Sequence, residues 1–281
     1  MQSGGTREKY ILERPEDGKI FYFKTSKRVY PTEFWMEIVA SAIGRSWGLD
    51  VLEYHVAQHA ELFGCISENM ISQEGEELRE LKSYLVLEDS SYNPSAKEHQ
   101  SRYTFEFIAR ALRKQSLDDF LPKIIETIVF DAVIGNQDRH QENIAFIVNA
   151  DSERFSQIYD SGSCLGRELS EERVSRMSAN SKDLSFYIER GHSEIRWDGP
   201  KISHSKLLQH LLATQEYEGT TKASILKIVE RFDAEETAEI IEHIDDALPP
   251  DFGGTRLTPE RKIFIAKLIT ARIDCVSTLL G

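Results

Sequence analysis

The sequence predicts an α+β fold with a small sheet-rich first lobe, residues 1–70, and a mostly helical second lobe, residues 71–281. Three observations predict it. Short aromatic-rich segments with period-two alternation crowd the first quarter of the chain. Amphipathic segments at helical spacing fill most of the remainder, and the two regimes change over near residue 70.

In chain order, K-I-F-Y-F-K (19–24) alternates and is aromatic-rich, which predicts a strand. In segment 31–47, Phe34, Trp35, Ile38, Val39, Ala42 and Ile43 recur at helical spacing, with Thr32 as the expected N-cap and Gly48 as the stop. D-V-L-E-Y-H-V-A (50–57) and L-F-G-C-I-S (62–67) predict short strands. Residues 72–100 are polar and carry no clear period. S-R-Y-T-F-E-F-I-A-R-A-L-R (101–113) is an amphipathic helix, and 121–134 is a buried one with Pro122 in its first turn and Gly135-Asn136 as its end. I-A-F-I-V (144–148), the turn N-A-D-S and F-S-Q-I-Y (155–159) predict a hairpin. The serine-rich, charged stretch 166–200 predicts an exposed mobile loop, and helices are expected at 203–214, 221–232, 234–247 and 258–279.

Bulk properties narrow the function. The chain has 281 residues, 40% hydrophobic and 29% charged, as in ordinary globular proteins. It can bury about three quarters of its unfolded surface. No apolar run approaches the ~18 residues of a membrane span, and the polar start M-Q-S-G-G-T-R-E-K is not a secretory signal. The net charge of −13 argues against direct nucleic-acid binding and against an anionic membrane surface. Cys65, Cys164 and Cys275 lie far apart and form no C-x-x-C, so neither a zinc ribbon nor a disulfide framework is indicated, in keeping with a cytoplasmic location.

The chemistry concentrates in G-N-Q-D-R-H-Q-E-N (135–143), a polar loop between two apolar elements. The expected hairpin returns the chain so that Asp160 comes near Asp138 and Asn143. Two carboxylates and a carboxamide form a hard oxygen site that suits Mg²⁺ and is poor for zinc. In phosphoryl transfer one aspartate orients the attacking hydroxyl, while an asparagine and a second aspartate hold the metal. The plain alternative is a capped helix end followed by a polar turn. His140 is either a brace for this loop or a direct proton-transfer group. Lys24 shares a strand face with Ile20 and Tyr22 and is either an edge residue snorkelling to water or a phosphate ligand. Glu37, beside the apolar stripe of its helix, needs a partner, and Lys24 is the economical one. Glu33 is expected on a solvated face. Ser3-Gly4-Gly5-Thr6 is either a phosphate-wrapping loop or a flexible tail.

Together S-G-G-T-R-E-K, F-K, T-E-F-W-M-E-I-V-A-S-A-I-G, G-C-I-S-E (64–68), I-G-N-Q-D-R-H-Q-E-N and I-Y-D-S-G-S resemble the HipA family of kinases, in particular its short CtkA-type members. The match is specific to about residue 165 and continues only as a helical pattern. The resemblance implies a two-lobed fold like that of protein and phosphatidylinositol kinases, with ATP and Mg²⁺ between the lobes. It implies that Asp138 is the catalytic aspartate, Asn143 and Asp160 the metal ligands, and Lys24 the phosphate lysine paired with Glu37. Gly4 and Gly5 would belong to the phosphate loop, and Ile66 to Glu68 to the hinge that meets adenine. Full-length members carry an extra N-terminal subdomain that this sequence does not show, so an antitoxin contact through it is in question. The expected function is a serine/threonine protein kinase, autophosphorylating at Ser3 or at Ser161, Ser163, Ser170, Ser175 or Ser178, and acting as a toxin or a secreted effector. A substrate with a basic patch would suit the acidic surface. The alternatives are a phosphatidylinositol-type lipid kinase, which the charge disfavours, and a non-catalytic nucleotide-binding module, which the intact motif set disfavours.

Overall fold

The computed structural model describes residues 9–281. Its first part is an antiparallel four-stranded sheet built from β1 (Lys9–Glu13), β2 (Ile20–Thr25), β3 (His55–His59) and β4 (Leu62–Glu68), in the order β1-β2-β4-β3. Lys24 on β2 lies opposite Cys65 on β4 and Lys9 on β1. Helix α1 (Glu33–Ser46) packs against β3 and β4. Thr32 is its N-cap residue but makes no side-chain cap bond; instead the Ser26 hydroxyl accepts from the Phe34 N–H at 2.9 Å. Gly48 takes the left-handed φ of 71° just beyond the helix, as expected for a stop.

The remainder is mostly helical. β5 (Glu77–Glu80) leads into α2 (Leu81–Glu88), filling the stretch that carried no period. After α3 (Phe105–Lys114), α4 (Leu121–Ile134) runs through the core with nearly every residue buried. It ends at Gly135 in the left-handed conformation, and a Cβ there would sit 2.6 Å from the Arg272 guanidinium. β6 (Ala145–Val148) and β7 (Glu153–Phe155) form the hairpin, with β5 on the other side of β6. The return strand is shorter than expected. Beyond Ser156, whose N–H still donates to the Ala145 carbonyl at 3.0 Å, the chain leaves β6, and Ile158 bridges Val51 instead.

Residues 166–200 are not a mobile loop. They contain α5 (Glu171–Ala179), α6 (Ser181–Arg190) and β8 (His192–Ser193), which pairs with β9 (Ile202–Ser203). The Ser170 hydroxyl and the Asn180 side chain cap α5 and α6, and Val174, Met177, Leu184 and Ile188 bury one stripe on each. These apolar positions are sparse among charges, but their spacing is helical. α7 (His204–Ala213), α8 (Gln215–Arg231), α9 (Ala234–Glu242) and α10 (Pro259–Ser277) complete the chain, with α7, α8 and α10 packed around α4. No helix of the described residues is long and apolar enough to cross a membrane.

His204 opens α7 in the interior, and among the described residues neither ring nitrogen has a hydrogen-bond partner. Burial, with Arg272 and His192 adding to it, holds its pKa well below the usual histidine range. The unfolded ring takes up a proton below about pH 6.5 and the folded ring does not. Its contribution to stability is therefore complete above that pH and is lost as the pH falls. Between pH 7.5 and 5.5 the wild type should lose about 1.4 kcal/mol more than His204→Leu, measured by urea unfolding. Parallel pH curves for the two chains would show that His204 does not titrate in this way.

Candidate functional site

Lys24 is buried, and its ammonium bridges two carboxylates: 2.8 Å to Glu37 Oε2 and 2.9 Å to Asp160 Oδ1. The Tyr54 ring lies beneath it at 4.7 Å. Burial by itself would lower the lysine pKa, but Asp160 and Glu37 outweigh it and hold the pKa well above the ordinary value. Glu37 also accepts from the backbone N–H of Ser161 at 2.7 Å and of Gly162 at 3.0 Å. One carboxylate on α1 thus fixes both the β2 lysine and the segment after Asp160. A Cβ on Gly162 would stand 2.9 Å from Glu37 Oε2, so the close approach requires glycine.

The loop 135–143 is held from below by Arg139, one of the largest fully buried side chains. Its guanidinium forks onto Asp131 of α4, with both bonds at 2.9 Å. It also donates to the carbonyls of Asn143 and Tyr159 and to the Ser161 hydroxyl. Burial opposes the charge and Asp131 more than offsets it, so the pKa of Arg139 is raised. Asn136 donates to Asp131 at 2.9 Å and accepts from the Asp138 N–H at 3.2 Å. Asp138 Oδ2 in turn accepts from the Ser163 hydroxyl at 3.3 Å. The Asn143 amide nitrogen donates to the Asp138 carbonyl at 2.9 Å, so the carboxamide oxygen is the end of the side chain that could ligate a cation.

A cavity of about 480 Å³ opens against this constellation, lined by Lys24, Tyr54, His140, Asn143 and Asp160 among others. Asp138 is half-buried and lies on the loop but does not line the cavity. His140 Nδ1 accepts from the Glu142 N–H at 3.3 Å, a contact within the loop. Asn143 and Asp160 supply one carboxamide and one carboxylate, which fits a magnesium ion that keeps waters and phosphate oxygens as its other ligands. No group of three or more His, Cys, Asp or Glu among the described residues is arranged to hold a metal.

Three expectations change, and a fourth falls outside the described residues. Ile66 does not line the cavity; by strand alternation it faces away from Cys65 and Ser67, and the chain meets the cavity at Ser67, Glu68, Asn69, Met70 and Ile71. Glu33 is not solvated: it is 1% exposed and ion-paired with Arg167. Ser161 and Ser163 are buried and hydrogen-bonded, so as they stand neither can accept a phosphoryl group. Gly4, Gly5 and Ser3 lie outside the described residues. The sequence reading missed Arg139 and Asp131. The available signal is an aspartate inside the apolar second half of that helix, eight residues before the loop arginine.

In overall fold the chain is similar to the proinflammatory kinase CtkA of Helicobacter pylori, with a TM-score of 0.76 and 21% identity over 98% of this chain and 92% of that one. It is also similar to HipA of Shewanella oneidensis MR-1, solved in complex with HipB and operator DNA, with a TM-score of 0.54 and 12% identity over 100% of this chain and 65% of that one. At these identities the likeness is one of fold. No curated protein matches the sequence. The match that reaches beyond fold is to the profile of the HipA-like C-terminal domain, which covers residues 1–244 and places this chain in that family.

Proposed function

We propose that the chain is an ATP- and Mg²⁺-dependent serine/threonine protein kinase with a two-lobed, protein/phosphatidylinositol-kinase-like fold divided near residue 70. The observation that carries this reading is the buried Lys24 ammonium shared between Glu37 and Asp160 at the wall of a cavity that Asn143 also lines. A lysine charge fixed by a helix glutamate next to a metal-type carboxylate suits the phosphates of a nucleotide. Asn143 and Asp160 would hold Mg²⁺, which when bound neutralises the charge on the phosphates. Asp138 orients the acceptor hydroxyl and takes its proton, while Ser163 holds the other carboxylate oxygen. Glu68 to Ile71, at the end of β4, would face the adenine.

The net charge of −13 disfavours the lipid-kinase alternative. A companion protein of the HipB kind is proposed by likeness to the Shewanella HipA complex alone. The test is intact mass after incubation with ATP and Mg²⁺, for the wild type and for Asp138→Asn, with and without a serine-containing protein substrate. Phosphate added to the wild-type chain or to the substrate, and absent with the variant, is the expected result. No transfer to either, with no nucleotide-induced rise in melting temperature, would overturn the reading.

A further inference from the structure

We propose that a second cavity, on the other side of the 137–143 loop, receives an acidic side chain of the segment that carries the acceptor hydroxyl. This inference rests on the kinase reading for its purpose but not for its test. The loop stands between two cavities that share no lining residue. His140, Glu142 and Asn143 face the one with Lys24, and Gln137 faces a separate one of about 380 Å³. The Gln137 N–H donates to the Ser163 carbonyl at 3.2 Å, and the Ser163 hydroxyl donates to Asp138. One residue thus ties the wall of the second cavity to the proposed base. Donor and acceptor oxygens lie roughly in line in phosphoryl transfer, so an acceptor belongs on the side of the base away from the nucleotide.

The chemistry of that cavity is specific. Arg173 of α5 and Arg190 of α6 line it, and neither has an ion-pair partner among the described residues, whereas Arg176 of the same helix is paired with Asp183 at 3.3 Å. Arg190 stacks on Phe186 at 5.3 Å, and that ring is 58% exposed. Glu168 also lines the cavity, but the Tyr187 hydroxyl donates to it at 2.8 Å. Two guanidiniums against one engaged carboxylate leave a local positive charge on a chain of net charge −13. Guanidinium forks match carboxylates in geometry, and Phe186 and Met177 offer an apolar wall for the stem of an aspartate or glutamate. The whole-chain charge favours a basic partner at long range; this cavity selects an acidic residue at contact distance.

Fluorescein-labelled peptides with one central serine, flanked either by glutamates or by lysines, test this by anisotropy. The net charge of the chain works against the glutamate peptide, so its preference can come only from a local site. The glutamate peptide should bind at least about tenfold more tightly. Arg173→Ala/Arg190→Ala should abolish the preference and Arg173→Glu/Arg190→Glu should reverse it, while both variants keep the wild-type melting temperature. No preference, or one that both variants retain, overturns the proposal. Binding needs no phosphoryl transfer. Arginine-dependent binding of a glutamate peptide that is never phosphorylated would therefore support the cavity and count against the kinase reading.

Discussion

Lys24→Met is expected to lower phosphoryl transfer about a thousandfold and to leave the chain folded. The ammonium is the positive charge that both Glu37 and Asp160 face at the cavity wall, and a preorganised charge in a water-poor site contributes on this scale. Methionine keeps the length and apolar stem against Tyr54. Glu37 retains the Ser161 and Gly162 N–H groups, so its carboxylate is not stranded, and the loss of stability should stay near 1–2 kcal/mol. Lys24→Arg should not restore the rate, because a planar fork does not replace a compact ammonium between two carboxylates. The pKa of Lys24 is raised, so the stability it lends is complete below the ordinary lysine value and is lost only as the pH rises through its higher folded value. Its removal should therefore shift the rate without changing the pH profile between 6 and 9. The measurements are transfer rate at saturating nucleotide and urea unfolding. A rate within a few-fold of wild type would remove Lys24 from the phosphate site.

The same contacts show what was legible in the sequence. The strand carrying Lys24, the helix carrying Glu37, and the order Asp138, Asn143, Asp160 could be read because each is a local signal: a period, a cap, a spacing. The Lys24–Glu37 contact followed from a carboxylate at an apolar stripe needing a partner. Glu33 meets the same condition, but its partner Arg167 lies 134 positions away in a stretch whose composition resembles a loop, so no local signal shows the pair. Composition alone misleads in that stretch. Its serines and charges are real, yet Ser170 and Asn180 are caps, and Val174, Met177, Leu184 and Ile188 bury one stripe on each helix. Ile66 shows the limit that alternation sets, since one step along β4 changes the face of the sheet and separates it from Ser67 at the cavity.

Arg139 gives the second large effect. Arg139→Leu should cost about 3–5 kcal/mol, because among the described residues it leaves the buried Asp131 carboxylate with only Asn136 as a side-chain partner. The more telling variant is Arg139→Lys. Lysine keeps the charge but cannot fork onto Asp131 while also reaching the carbonyls of Asn143 and Tyr159 and the Ser161 hydroxyl. Those acceptors flank both proposed metal ligands, so a loosened fork displaces Asn143 and Asp160 relative to each other although neither residue is changed. Arg139→Lys should therefore lose less stability than Arg139→Leu and still lose about a hundredfold in transfer rate, since small misplacements at a reacting centre have effects of this order. Asp131→Asn should act in the same direction, and the double variant should be far less than additive, because both changes break one unit. A double-mutant cycle on stability and on rate measures this. If Arg139→Lys keeps the full rate, the loop holds its geometry by its other contacts, those of Asn136, Asn143 and Ser163 among them, and the arginine serves only the stability of the core.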